Sequence, residues 1–154
     1  MGIYKEPFFF IIIFFFVVFV LFLYTQFNIN KKQITIINSK GESITVTVEL
    51  ANNPIKRARG LMFRSALDEN EGMLFIFDRP GRYGFWMFNT TIPLDAIFFD
   101  ENGTVVDIIT MEPCTTINCP VYTPTSEALY VLEVNRGFSV ANKIELGKSR
   151  LVIE

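Results

Sequence analysis

Apolar and polar positions follow three different rhythms along this chain. From Phe8 to Leu23 every residue is Phe, Ile, Val or Leu, an unbroken run close to the ~20 apolar residues that a helix needs to cross a bilayer. Further on, Ile44, Val46, Val48 and Leu50 alternate with Ser43, Thr45, Thr47 and Glu49. That period of two predicts a strand with one face buried and one face wet. From Met73 the apolar stretches become short and nearly continuous: Met73 to Phe77, Phe85 to Phe88, Leu94 to Phe99, Val105 to Met111, Leu129 to Val134 and Leu151 to Ile153. Punctuated by Gly, Pro and Asn, they predict a mainly β domain, a compact antiparallel barrel or sandwich with one or two short helices.

Turn residues refine this outline. Gln33 to Ile37 is the predicted hairpin partner of the alternating strand, across Lys40-Gly41. A short helix is predicted after Asn53, which can cap it, with Pro54 at the first helical position and Gly60 at its end. Ile55, Ala58 and Met62 are then expected to face the core, leaving Lys56, Arg57 and Arg59 nearer solvent. A second helical turn is expected near Ser139 to Lys143. The sequence Asp100-Glu101-Asn102-Gly103 predicts a two-residue type I′ hairpin, because Asn-Gly tolerates positive φ. Such a turn sets Glu101 opposite Thr104, Phe99 opposite Val106, Phe98 opposite Asp107 and Asp95 opposite Thr110.

Length and charge then organise the chain. With 154 residues there is room for one domain of ordinary size, preceded by the apolar run that holds eight of the 17 Phe. The expected organisation is a membrane anchor over 1–27, crossing at 8–24, a neck over 28–32, and a β-rich soluble domain over 33–154. Tyr24-Thr25-Gln26-Phe27 offers no small-x-small cleavage site, so the run reads as retained rather than cleaved. Lys5 on one side is balanced by Lys31 and Lys32 on the other, and the basic-residue rule gives no orientation. Cys114 and Cys119, in a loop-like CTTINCP stretch, predict a local disulfide and with it an oxidising compartment. Zinc would want four Cys or His ligands, and there is no His. Asn89-Thr90-Thr91 and Asn102-Gly103-Thr104 form two glycosylation triplets compatible with an external domain. The expected location is a single-pass protein of the cell membrane with its soluble domain extracytoplasmic.

Composition narrows the chemistry. Without His the commonest proton shuttle and the usual Ser-His and Cys-His arrangements are absent. A net charge of −2 with no aromatic-basic stripe argues against nucleic acid, and no metal or cofactor is expected. The acids Asp95, Asp107 and Glu133 invite a paired-carboxylate reading, in which two acids flank one bond. In the predicted register, however, Asp95 lies with Ile97 and Phe99 on one face, and Asp107 lies with Phe98 and Ile109 on the other. Glu133, on a face with Leu129 and Val131, remains an available partner for either. The structural alternative pairs these acids with Arg59 or Arg64, since an unpaired buried charge is costly. Trp86 can line a cleft or fill the core, and Asn89 can bind a ligand or shape the turn before Pro93.

Four ordered segments, GLMFR at Gly60 to Arg64, GMLFIF at Gly72 to Phe77, FWMFNTTIPLD at Phe85 to Asp95 and YVLEVNRG at Tyr130 to Gly137, together resemble the family called domain of unknown function one hundred and ninety-two. The resemblance spans about Ile44 to Ile153. It implies a compact β-rich domain, often secreted or held by an N-terminal hydrophobic segment, and implies no particular activity. The family's recurring polar positions fall on Arg59, Arg64, Asn89, Asp95, Glu133 and Asn135, with Trp86 among the aromatics. This chain departs at Phe88, where the pattern commonly carries a basic or polar residue, so a shared anion pocket relying on that cation is not implied here.

Two functional classes follow. The first is a membrane-tethered extracytoplasmic binding or envelope-associated accessory domain. Its expected site draws on Arg59, Arg64, Trp86, Asn89, Asp95 and Glu133, and holds a small polar ligand or a segment of an envelope protein. The second is a hydrolase of an envelope polymer using Asp95 or Glu133 as acid or base. Geometry separates them: a hydrolytic pair needs Asp95 and Glu133 in one open pocket.

Overall fold

The structure, a computed structural model, describes residues 7–28 and 31–152. It falls into two compact units, Met1–Lys31 and Lys32–Glu154. The first holds α1 (Pro7–Asn28), a helix of 22 residues with no acid in its first turn and no base in its last. Its described side chains run from Phe10 to Leu21 and are all exposed. Among the described residues no helix is long and apolar enough to cross a membrane. The membrane crossing expected over 8–24 is therefore not supported by the fold. Lys5, the side chains at both ends of the run, Ile29 and Asn30 of the neck, and Ile153 lie outside the described residues.

The second unit contains β1 (Lys31–Ile37) from its second residue on, β2 (Ser43–Ala51), α2 (Pro54–Arg59), β3 (Glu71–Gly81), β4 (Phe85–Trp86), β5 (Leu94–Phe99), β6 (Val105–Met111), β7 (Val121–Tyr122), β8 (Ala128–Asn135), α3 (Phe138–Ala141) and β9 (Arg150–Val152). Seven strands form one sheet in the order β6-β5-β8-β3-β2-β1-β9, and β4 pairs with β7 separately. The two ends of the large sheet approach each other: Thr104 bridges Arg150, Val105 N–H donates to Ser149 O at 3.0 Å, and Leu151 N–H donates to Gly103 O at 2.7 Å. The result is a curled half-barrel. One pair departs from the antiparallel expectation: β2 and β3 run parallel, from Thr47↔Glu71 to Ala51↔Phe75. Parallel neighbours need a crossover rather than a tight turn, and the segment carrying α2 supplies it.

Apolar side chains pack on both faces of the sheet. Ile36, Val46, Val48, Ile97, Phe99, Leu132 and Val134 belong to one core cluster, and Met73, Phe75, Phe85, Ala96, Phe98 and Val131 to the other. Every residue of β5 is buried. Two-sided burial explains why β3, β5 and β8 read as continuous apolar runs while β2 alternates.

Between β5 and β6 the predicted register holds from Leu94↔Met111 through Asp95↔Thr110 to Phe98↔Asp107. It then shifts, so Phe99 faces Val105 rather than Val106. The turn is also wider than a type I′ hairpin, with Asp100 N–H donating to Thr104 O at 2.9 Å. Only Gly103 takes a positive φ, 80°. The cause is the Asp100 carboxylate, which accepts from the N–H groups of Asn102 at 2.9 Å and Thr104 at 2.8 Å and so stabilises a turn with one left-handed residue and a bulge.

α2 has the predicted ends: Asn53 accepts from Lys56 N–H at 2.9 Å and Gly60 closes it. Its predicted faces hold only in part: Arg59 is exposed as expected and Met62 half-buried, whereas Ala58 is exposed and Lys56 and Arg57 are half-buried. Ile55 is among the most exposed residues of the chain. Arg57 turns inward, donating to Ile76 O at 2.8 Å with its guanidinium 5.3 Å from the centre of the Phe77 ring. A polar interaction with β3 thus outweighs the burial of one isoleucine. The later helical turn is Phe138–Ala141, slightly before its predicted place.

Candidate functional site

A cleft opens beside β3 and β8, walled by the end of α2 and by the segment leading into β4. Its shape depends on Gly60, whose φ of 49° and ψ of −140° lie in a region that side chains strongly disfavour. A Cβ built there would stand 3.5 Å from Phe75 Cζ and 4.0 Å from Glu133 Oε2. The absent side chain therefore leaves open the approach to Glu133. On the neighbouring strand the residue opposite Glu133 is Ala96, too small to cover the carboxyl. The cavity has a volume of about 230 Å³, and Arg57, Arg59, Phe75, Tyr83, Trp86 and Glu133 are among its lining residues. Its aromatic wall is ordered by ring contacts: Phe75 meets Phe85 edge-on at 5.0 Å, Phe77 stacks on Tyr83 at 3.6 Å, and Trp86 stacks on Phe88 at 5.1 Å.

Glu133 is the exceptional group. It is only 5% exposed, and no hydrogen bond or ion pair from a described residue reaches its carboxyl. No fully enclosed side-chain oxygen or nitrogen among the described residues lacks a hydrogen-bond partner, so the unpartnered carboxyl keeps its contact with the open space of the cleft. Burial pushes its pKa up from 4.5 to about 8, because the surrounding apolar groups penalise the charged form. At pH 7 burial therefore favours its neutral form, which can donate or accept a hydrogen bond.

The structure brings together only some of the residues the sequence singles out. Trp86, half exposed, and Arg59 share the cleft with Glu133. Arg64 lies elsewhere, ion-paired with Glu49 at 2.7 Å. Asn89 serves its turn: it takes φ of 53°, and its carbonyl accepts from Phe63 N–H at 2.8 Å. Asp95 is on the opposite face of the sheet from Glu133, since it pairs with Val134 while Glu133 pairs with Ala96. There its Oδ1 accepts from Thr110 Oγ1 at 2.9 Å, and its Oδ2 accepts from Ser139 Oγ at 2.6 Å and from the N–H groups of Gly137 and Ser139 at 3.1 and 3.2 Å. Asp95 fastens the start of α3 to the sheet. Neither it nor Glu133 pairs with Arg59 or Arg64. Asp107 holds a loop, accepting from Thr125 N–H and Oγ1 at 2.7 and 2.9 Å, and Asn135 Nδ2 donates to Leu67 O and Asp68 O at 2.9 and 3.1 Å. Cys114 and Cys119 form the predicted disulfide.

Three contributors escape sequence reasoning. Arg57 looks like one more exposed base, Tyr83 draws no reading at all, and Gly60 looks only like a helix stop. The one signal for Gly60 is the positive φ that a C-terminal cap invites; nothing in the spacing says that this backbone faces a carboxyl from residue 133.

This half-barrel with a cleft on its outer side matches known proteins along nearly its whole length. Residues 35–151 match the DUF192 family, described as "Uncharacterized ACR", and the chain belongs to that family. It is similar to UPF0127 proteins of Pyrococcus horikoshii, 35% identical over 71% of this chain and 90% of the relative, and of Pyrococcus abyssi, 35% identical over 65% and 80%. Among solved structures it resembles a candidate transcription regulator from Sinorhizobium meliloti, with TM-score 0.72, 32% identity and coverage of 79% of this chain and 92% of that one. It also resembles a protein of unknown function from Novosphingobium aromaticivorans, with TM-score 0.72, 31% identity and coverage of 80% and 85%.

Proposed function

We propose that this protein is a membrane-tethered, extracytoplasmic binding domain whose cleft at Glu133 holds a small polar ligand. The observation that carries the reading is the buried, unpartnered Glu133 carboxyl facing an aromatic-walled cavity. A structural role would tie such a group to a partner, as Asp95 is tied, because leaving a buried polar group unpaired costs stability. Perturbed, unpaired groups in clefts mark sites. The tether is supported by the unbroken apolar run from Phe8 to Leu23 in the sequence and the extracytoplasmic side by the Cys114–Cys119 disulfide.

The hydrolase reading is not favoured, because the sheet itself separates Asp95 from Glu133 and no second carboxylate among the described residues lines the cleft. Nor is nucleic-acid contact, although one similar structure is described as a candidate transcription regulator: the net charge is −2 and the cleft wall is aromatic.

A ligand screen by thermal shift on the full chain in nonionic detergent tests the binding reading. Trp86 is the only tryptophan and lines the cleft, so its emission reports occupancy directly. A ligand at a hundred times its Kd adds about 2.7 kcal/mol of stability, and the Glu133→Gln variant should lose that gain. Hits that stabilise both proteins equally and leave Trp86 emission unchanged would count against the site. For the tether, alkaline carbonate should leave the protein in the membrane fraction, and protease added to spheroplasts should digest the β domain. Release by carbonate or full protection would refute each part.

A further inference from the structure

We propose that the cleft is built for a small zwitterion, its ammonium group seated on Glu133 and its anionic group on Arg59. This inference rests on the binding reading above and names the class of ligand.

Two ionisable side chains of the cleft, Glu133 and Arg59, have no side-chain partner among the described residues. Arg57 is engaged by Ile76 O, by the Phe77 ring and by Asp78 at 3.6 Å. Arg59, exposed on the cleft wall, has a guanidinium that forms no ion pair or hydrogen bond with any described residue. The Glu133 carboxyl has no partner among the described residues either, and the two side chains are not paired with each other. The cavity therefore offers a carboxyl at its buried end and a guanidinium nearer solvent. A lone amine would meet the field of Arg59, and a lone carboxylate would meet Glu133. A neutral molecule would leave both groups as they are. A molecule carrying both signs satisfies both, and charge-assisted hydrogen bonds are the strong ones.

The walls agree with a cation at the buried end. Phe75, Phe77, Tyr83, Phe85 and Trp86 all line the same space, and cations are favoured against ring faces; Arg57 over Phe77 is an instance on this very wall. The volume, about 230 Å³, is below the roughly 300–1,000 Å³ of pockets for drug-sized ligands, which suits an amino acid or a short ω-amino acid. Binding moves one proton: the neutral Glu133 carboxyl becomes a carboxylate beside the incoming ammonium, and its proton leaves to solvent. Among the described residues, the titratable or charged side chains that share the cavity with Glu133 are Arg57, Arg59 and Tyr83.

The test uses the full chain in nonionic detergent. Glycine, γ-aminobutyrate and ε-aminocaproate are titrated beside butylamine, butyrate and butanol, with Trp86 emission and calorimetry in two buffers of different ionisation enthalpy as readouts. At least one zwitterion should bind about tenfold or more tighter than butylamine and butyrate, with release of about one proton. Arg59→Gln, an exposed change, should reduce that zwitterion to the affinity of the amine. Glu133→Gln should abolish the proton release and weaken binding about tenfold or more, with urea unfolding at low pH confirming that both variants are folded. Butanol binding as tightly as the best zwitterion would overturn the inference and leave the binding reading standing. So would binding of an unrelated screen hit when every zwitterion fails. Failure of all probes and of the screen alike would overturn both.

Discussion

Replacing Glu133 by Gln keeps the shape of the protonated carboxyl and removes its ability to ionise, so the pair of proteins isolates what one proton does for the fold. Burial holds Glu133 at about 8 against 4.5 in an open chain. At ~1.4 kcal/mol per pH unit that interval corresponds to about 5 kcal/mol, an upper figure because the carboxyl tip still meets solvent in the cleft. The sign follows from proton counting. Below 4.5 the folded and unfolded chains both carry the proton, and Glu133 contributes nothing. Between 4.5 and 8 the unfolded chain has released it while the folded chain retains it, so stability falls as pH rises; above 8 the loss is complete. Urea unfolding of both proteins, followed by Trp86 emission in nonionic detergent, should give similar stabilities near pH 5 and a wild type weaker by several kcal/mol near pH 8.5. Only the difference between the two proteins matters, since other groups titrate in both. A difference that stays within about 1 kcal/mol across this range would refute the reading of Glu133 as a buried, unpaired acid.

Other substitutions probe the frame around the cleft. Asp95→Ala removes the acceptor of four hydrogen bonds and should cost about 3–5 kcal/mol in urea unfolding, while leaving the affinity of the folded protein for any cleft ligand unchanged. Gly72→Ala would place a methyl 2.5 Å from Glu133 O and 2.9 Å from Val134 Cγ1. Forcing β3 and β8 apart should cost about 3 kcal/mol, read as a lower urea midpoint. Replacing Cys114 and Cys119 together by Ser opens a short loop, separation 5, and should lower stability by about 2 kcal/mol; unchanged midpoints under reducing and oxidising conditions would contradict this.

Much of this fold is legible from local signals. The strand at Leu94–Phe99, its partner at Val105–Met111, their register through Asp95↔Thr110 and the disulfide all depend on residues close in sequence. What escapes is set by distant contacts. The parallel pairing of β2 with β3 depends on where the chain returns after α2, and no periodicity encodes that. The inward turn of Arg57 depends on a carbonyl at Ile76 and a ring at Phe77. Asp95 and Glu133 look alike in sequence, each an acid on an apolar strand. Only the pairing of β5 with β8 puts them on opposite faces, one tied by Ser139 and the other facing the cleft.

Closure of the half-barrel carries a consequence for biogenesis. The strand that joins β1 and also reaches Thr104 is β9, Arg150–Val152, which a ribosome makes after every other strand of the sheet. Until it emerges, β1 and the start of β6 present unsatisfied edges, the feature that invites pairing with other chains. In a domain of this topology the sheet closes only when β9 is in place. The three residues that latch it set the moment at which aggregation ceases to compete with folding.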